Sequence, residues 1–515
     1  MGISRLTDVE SNLEFSYRAD VETGRLVKGI TEMQLREYLE YDATGLASLV
    51  SAGEVTAVEM TRLARQAHDE VNPRINAVIE FYDDAETVAG ADTGLFNGVP
   101  FLRKDIGASE AGRLQESGSR LFKGYRSNTD SYYFRRARNA GLRTVGRTTT
   151  SELGMSATTE SVLSGITGNP WDLDRSAGGS SGGAAAAVAA GITPIAHGSD
   201  GGGSIRIPAS WCGLVGLNPS RGRVSGGPDN QDASFGRSRS FVLCKTVRDM
   251  AAALDVFSGP HPGDPFIIVQ PNRRYVEELA QPTGTLRVGI ASTKWGAIDL
   301  DAEVLHALEA TASLLEEMGH VLVDFTPPYK SSDYTRIMLA ASSIFARSLE
   351  DNARAIGRAI DSSTVEPVNL KHYEYGRAEQ IDPRELHEAL RKMRFQVGEA
   401  IQGFDILLTP TMPHVATPHR DSYCTTNATI SAEEFKAADA ALCQYTGVFN
   451  VTGQPSVSLP LAQSLSGLPI GVQIVGRFGD EATLVRVARD LEEALPWSGR
   501  RPEVRAGNNS KSAEL

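Results

Sequence analysis

Ser180 sits in the run Gly178-Gly179-Ser180-Ser181-Gly182-Gly183, and Ser204, twenty-four residues on, closes Asp200-Gly201-Gly202-Gly203-Ser204. Between them lies Ala184–Ala190, a helix-forming stretch of small side chains. A helix that small is buried only by close packing on a flat surface, which points to a β-sheet and an α/β architecture. Glycine permits positive φ and close approach of backbone N–H groups to a ligand. The row Gly201-Gly202-Gly203 can therefore aim several donors at one developing oxyanion. Upstream, Val99-Pro100-Phe101-Leu102-Arg103-Lys104-Asp105 places Lys104 just past an apolar stretch, where desolvation favours a neutral amine. Two serines and a lysine in these settings suggest a nucleophile with a base other than histidine.

The remaining composition narrows the class. At 515 residues the chain can bury a large core without disulfides or metals. Apolar residues at 41% and charged residues at 22% give a globular balance. The formal charge of −13 argues against nucleic acid or an anionic membrane as partner and fits a soluble enzyme acting on neutral or cationic small molecules. Cys212, Cys244, Cys424 and Cys443 form no CxxC pair and read as reduced thiols. The nine histidines are scattered without an HExxH or Cys/His cluster, so no metal is expected. No glycine run has P-loop spacing, so no nucleotide or other cofactor is expected. No secretory signal or bilayer-length apolar run is visible, and the reading is a cytoplasmic protein with no membrane contact.

Along the chain, residues 1–40 read as an acidic arm, helical near Glu32 to Glu40. Residues 41–497 read as one α/β domain. Two helices are expected between Asp42 and His68 with a break at Gly53, and further helices at Tyr132 to Asn139, Val247 to Phe257, Asp301 to Met318 and Asp480 to Leu495. Strands are expected at Ile75 to Phe81, Leu142 to Gly146, Leu286 to Ala291, His320 to Phe325 and Asp405 to Thr409, with a β pair at 456–460 and 470–475. Ser331 to Gly403 reads as mostly helical, and the polar tail 498–515 as disordered.

In these contexts and spacings, Lys104, Ser180-Ser181 and Ser204 resemble the amidase signature family. Gly168-Asn169-Pro170-Trp171, Gly213-Leu214-Val215-Gly216-Leu217, Thr452-Gly453-Gln454-Pro455 and Gly467 to Gln473 carry the same resemblance, which spans roughly residues 40–500. It implies a mixed, mainly parallel sheet with helices on both faces, a fold compatible with a homodimer. It makes Ser204 the acylated nucleophile, Ser180 a bridging serine after a cis peptide, and Lys104 the base. Gly201, Gly202 and Gly203 form the oxyanion hole. Asp200 and Arg206, flanking the nucleophile, are expected to hold the loop through an ion pair or backbone hydrogen bonds and Ser181 to support the relay by hydrogen bonding, while the resemblance puts Met155 and Ser156 near the bound acyl group. The stretch His197 to Ser210, with Tyr41-Asp42-Ala43 and Ser258 to Pro265, resembles the branch containing 6-aminohexanoate cyclic dimer hydrolases. Gly146 to Glu152 departs from the pattern, with Thr149 and Ser151 where Asn and Pro commonly stand, which leaves the substrate open. The activity implied is cleavage of a linear or cyclic amide, or of a carbamate or ester.

Rival readings make different demands. Gly178-Gly179-Ser180-Ser181-Gly182 satisfies the G-x-S-x-G of α/β-hydrolases, with Asp405 and His414 or His419 in the right chain order. That elbow needs a strand directly before it, where Trp171 to Arg175 looks turn-like, and it leaves Gly201 to Ser204 unexplained. A glutamine-hydrolysing amidotransferase subunit would share the family pattern but need a partner chain. Asp105, beside Lys104, would hold a proton on the amine if its carboxylate faced it, so it is expected to point away.

Overall fold

The computed structural model describes residues 17–19, 26–28 and 32–508, apart from 89, 233, 380, 381 and 422. Its centre is an eleven-stranded sheet. In chain order the strands are β1 (Val78–Phe81), β2 (Pro100–Lys104), β3 (Arg143–Thr148), β4 (Ile195–Asp200), β5 (Val215–Asn218), β6 (Arg239–Cys244), β7 (Arg287–Ile290), β8 (Val321–Asp324), β9 (Ile406–Pro410), β10 (Ser456–Gln463) and β11 (Pro469–Gly476). Across the sheet they run β8-β7-β9-β11-β10-β5-β6-β4-β2-β3-β1. The sheet is mixed. Parallel pairs sit on its two flanks, β8-β7-β9 on one side and β4-β2-β3 on the other, where helical crossovers link the strands. The centre, from β9 through β11, β10, β5 and β6 to β4, is antiparallel.

The helices used below are α1 (Leu35–Glu40), α2 (Gly182–Ala189), α3 (Arg206–Cys212), α4 (Ser331–Ala340), α5 (Ser342–Ile356), α6 (Pro367–Ala378), α7 (Pro383–Ile401), α8 (Ala432–Leu442) and α9 (Glu481–Ala494). Helix α2 is the alanine-rich stretch, and all eight of its residues are buried. It packs on β4, β6 and β2, and a side chain at Gly183 would meet Thr149 Oγ1 at 2.2 Å. Strand β11 shows how both faces of the sheet are covered. A side chain at Gly471 would meet Ser210 of α3 at 2.5 Å, and one at Gly476 would meet Leu484 of α9 at 3.1 Å. These two positions are five residues apart and so point to opposite faces.

Helices α4 to α7 fill the stretch expected to be helical, with a second apolar core around Trp295, Ile337, Leu390, Met393 and Phe449. All four cysteines are free and buried. No described helix is long and apolar enough to cross a membrane.

Both chain ends differ from expectation. Leu35, Tyr38 and Leu39 of α1 are buried in the main core, so from residue 35 on the supposed arm belongs to the body. The supposedly disordered tail 498–515 is packed as far as residue 508, with Val504 and Ala506 buried and their amides bonded to Pro170 O (2.9 Å) and Ala190 O (3.0 Å). Two small apolar residues in a polar run sufficed to dock it. Residues 509–515, and the arm before residue 32 apart from the short β pair Tyr17–Ala19 with Leu26–Lys28, lie outside the described residues.

Candidate active site

Strands β2 and β4 are parallel neighbours, with Ile195 opposite Phe101 and Ala196 opposite Leu102, so their carboxyl ends open at the same edge. That edge is the usual place for a ligand in an α/β sheet. Lys104 ends β2, and Ser199 and Asp200 end β4. The Gly178–Ser181 turn, which enters α2, comes down over both and contains a cis peptide between Gly179 and Ser180.

Lys104 is fully buried. Its Nζ donates to Ser180 Oγ at 2.8 Å, Ser199 Oγ at 3.0 Å and Ser199 O at 3.4 Å. Burial pulls its pKa down to about 7, against the upward pull of the Asp200 charge. Asp105 does point away: its carboxylate accepts from Arg147 Nη1 (2.9 Å) and from the amides of Glu116 and Gly118. Ser181 is also buried, and its hydroxyl bridges to Ser199 O (3.2 Å) and Ser199 N (3.3 Å), tying the turn to β4.

Asp200 and Arg206 form a fully buried, two-pronged ion pair, with Nη2 2.8 Å from Oδ1 and Nε 2.9 Å from Oδ2. Burial pushes the Asp200 carboxyl up, but Arg206 and Asn450 prevail and hold it down at about 2. Arg206 also donates to Thr446 O, Ser456 Oγ, Gln473 Oε1 and Asn450 Oδ1, so one guanidinium locks the Gly201–Ser204 loop to β10, β11 and the segment before them.

The expected row of three glycine donors needs correction. Gly203 N donates to Asp200 Oδ1 at 2.8 Å, because a carboxylate three residues upstream captures that amide in a turn. Gly203 is buried away from the cavity, and its N–H is not available to a ligand. Gly201, Gly202 and Ser204 border the cavity, and the amides of Gly202 and Ser204 have no acceptor among the described residues.

Ser180, Ser199, Gly201, Gly202 and Ser204 open onto one cavity of about 940 Å³. Met155 and Ser156 line it, though the Ser156 hydroxyl is already engaged by Thr158 and by Tyr423 O. The opposite wall comes from α4, α5 and α8, through Tyr334, Met338, Phe345 and Lys436. Sequence reasoning gave no role to Ser199; it placed specificity in the stretches around 330–400 and 410–445, which supply this wall, without naming residues in them. Ser199 was signalled by its place beside Asp200, whereas the wall comes from segments more than a hundred residues away.

The hydrolase-elbow reading finds no support in the geometry. His414 stacks on Trp211, with ring centroids 6.1 Å apart. His419 bonds Glu160 and Leu173 O, and Asp405 pairs with Arg477 at 2.9 Å. Where a turn was expected, a strand, Asp172–Ser176, does precede the Gly178–Ser181 turn, but it pairs in a small separate hairpin and not in the central sheet.

Fold and site together define an amide-hydrolysing α/β enzyme, and comparison with known proteins agrees. The chain belongs to the amidase family, whose model matches residues 59–485. It is an amidase, a hydrolase of carbon–nitrogen bonds other than peptide bonds. It is 38% identical over 480 residues to the 6-aminohexanoate-cyclic-dimer hydrolase of Paenarthrobacter ureafaciens, covering 90% of this chain and 96% of that one. It is 34% identical over 479 residues to a putative amidase, AmiC, of Mycobacterium tuberculosis, covering 89% and 95%. Among solved structures, a 6-aminohexanoate cyclic dimer hydrolase matches with a TM-score of 0.83 at 37% identity, covering 90% of this chain and 99% of that one. A bacterial aryl acylamidase matches with a TM-score of 0.75 at 26% identity, covering 89% and 97%.

Proposed function

We propose that this chain hydrolyses a small amide through an acyl-enzyme on Ser204, with Ser180 and Lys104 as the proton relay. The observation that carries this reading is the 2.8 Å hydrogen bond from Lys104 Nζ to Ser180 Oγ in a fully buried setting. Neutral Lys104 takes a proton from Ser180 as Ser180 takes one from Ser204, whose Oγ attacks the amide carbonyl. The amides of Gly201, Gly202 and Ser204 hold the resulting oxyanion, each such donor typically worth about 3–4 kcal/mol. As the carbon–nitrogen bond breaks, the proton returns from Lys104 through Ser180 to the leaving amine. Water then attacks the ester on Ser204 by the same relay and releases the acid. No cofactor takes part. Similarity to 6-aminohexanoate cyclic dimer hydrolases makes the cyclic 6-aminohexanoate dimer the first substrate to try.

The test is intact-protein mass spectrometry after incubation with a fluorophosphonate, alongside turnover of an amide panel. One adduct is expected, mapped to Ser204 and absent from Ser204→Ala, which should also be inactive. Ser180→Ala and Lys104→Ala should each lose about 10²–10⁴-fold in kcat/KM. An adduct that persists in Ser204→Ala and maps to Ser180 would overturn the assignment of the nucleophile.

A further inference from the structure

Six charged side chains line the cavity: Lys123, Arg237, Arg358 and Lys436 against Asp229 and Asp439. Four cations thus face two anions, in a chain whose formal charge is −13. The cavity's bias opposes that of the molecule, and low-dielectric clefts focus such a field on what enters them.

None of the four cations is in an ion pair among the described residues. Arg358 is occupied, donating to the carbonyls of Leu121 (2.7 Å) and Arg120 (3.3 Å), and Asp229 accepts from Thr129 Oγ1 at 2.6 Å. Arg237 donates Nε to Ser234 O (3.2 Å) and Nη1 to Met338 Sδ (3.0 Å), and no carboxylate pairs with it among the described residues. Lys436 is buried on α8, its Nζ 5.7 Å from the centroid of the Phe435 ring. It makes no hydrogen bond or ion pair among the described residues. Asp439, one turn along α8, shares this wall and forms no ion pair with the ammonium among the described residues; burial pulls the Lys436 pKa down and the Asp439 charge opposes that pull. An ammonium has three donors, and those of Lys436 are bonded to no described residue and open to the cavity. A ligand that brings an anionic acceptor can take them in a charge-assisted bond.

The wall adjoins the reacting loop. A side chain at Gly202 would begin 3.8 Å from Tyr334 Oη, and one at Gly201 would meet Ser238, the neighbour of Arg237, at 3.7 Å. We propose that Lys436 and Arg237 form an anion subsite, and that the preferred substrates are amides carrying a carboxylate away from the scissile bond. The inference rests on the amide-hydrolysis reading of the site. It separates this chain's preference from the uncharged cyclic dimer.

Matched substrates test it. With the wild type, glutaryl- and adipoyl-4-nitroanilide should exceed pentanoyl- and hexanoyl-4-nitroanilide in kcat/KM by about tenfold or more, the scale of one charge-assisted hydrogen bond. N-hexanoylglycine against N-hexanoylpropylamine repeats the comparison with the carboxylate on the amine side. Preference in either series supports the subsite and says which half of the substrate it holds. Lys436→Met and Arg237→Met should bring that ratio towards one. Equal values in both series, or preference for the neutral partners, would overturn the proposal on the wild type alone, however the variants fold. Failure of the underlying reading looks different, since no amide would turn over and no fluorophosphonate would label Ser204, and both proposals would then fall.

Discussion

The base role proposed for Lys104 requires that the chain remove it from water without giving it a carboxylate to pair with. Asp105, its neighbour in sequence, is held by Arg147, and Asp200, the charge that raises its pKa, is itself neutralised by Arg206. With burial bringing the pKa down to about 7, the amine is neutral above that pH and protonated below it. Hydrolysis of an uncharged anilide should therefore rise in kcat/KM through an inflection near pH 7 and level off above it. A profile flat from pH 5 to 9 would remove Lys104 from the relay. At this scale the sequence displayed Lys104, Ser180, Ser204, Asp200 and Arg206, because each sits inside a short motif. It could not display Asn450 or Ser456, and it showed Gln473 only as the end of a motif, although all three hold Arg206 from more than two hundred residues away. Gly203 was misread because a glycine row looks uniform. Its distinguishing feature is Asp200 three residues before it, which was expected to hold the loop but was not seen to take the Gly203 amide in doing so.

Elements were legible where their periodicity was local. The helices at Tyr132–Asn139 and Val247–Phe257 match the expected bounds, and the β10–β11 pair was expected from its apolar runs. Strand β4 was not, since Ile-Ala-His-Gly-Ser-Asp has little β-propensity and becomes a strand by being bonded on both edges. Helix α8 was missed although Ser431 and Glu434 form a capping box at its start. The helical unit α4 to α7 is tied to the site by two buried carboxylates. Glu152 opens the turn that brings Gly154 beside Ser180, and it accepts from Ser119 Oγ, Glu366 N and Asn369 Nδ2, each at 2.8 Å. Glu366 stands at the start of α6, and burial, then the Glu152 charge, push its pKa up to about 7. A carboxyl raised in the fold binds more protons there than in the unfolded chain. Its favourable contribution is full below the ordinary glutamate range and lost as pH rises through about 7. Glu366→Gln should therefore gain thermal stability relative to the wild type as the buffer moves from pH 6 to pH 8. A Tm difference that does not change between the two buffers would show that Glu366 carries no such strain.

The described body is built on one eleven-stranded sheet whose antiparallel centre joins two parallel flanks, and α1 and the segment 501–507 close on each other across one corner. Arg505 donates to Leu39 O (3.1 Å) and pairs with Glu40 (2.8 Å), Arg501 reaches Glu40 (3.2 Å), and Gly507 N donates to Glu70 (2.8 Å). Between them Val504 and Ala506 bury their side chains against the core that α1 also enters. Composition could not show this clasp, because a polar run with two small apolar residues looks the same whether free or docked. Burying a valine contributes about 1.5–3 kcal/mol and each hydrogen bond about 0.5–1.5 kcal/mol, while ordering the segment's backbone opposes both. A chain ending at residue 497 should consequently lose about 1–3 kcal/mol, read as a lower urea midpoint with an unchanged slope. Its α1 should lose protection as well, since Leu39 and Glu40 give up their partners, and hydrogen exchange at residues 35–40 would report this. An unshifted midpoint with α1 still protected would mean that the segment is held by the body without helping to hold it.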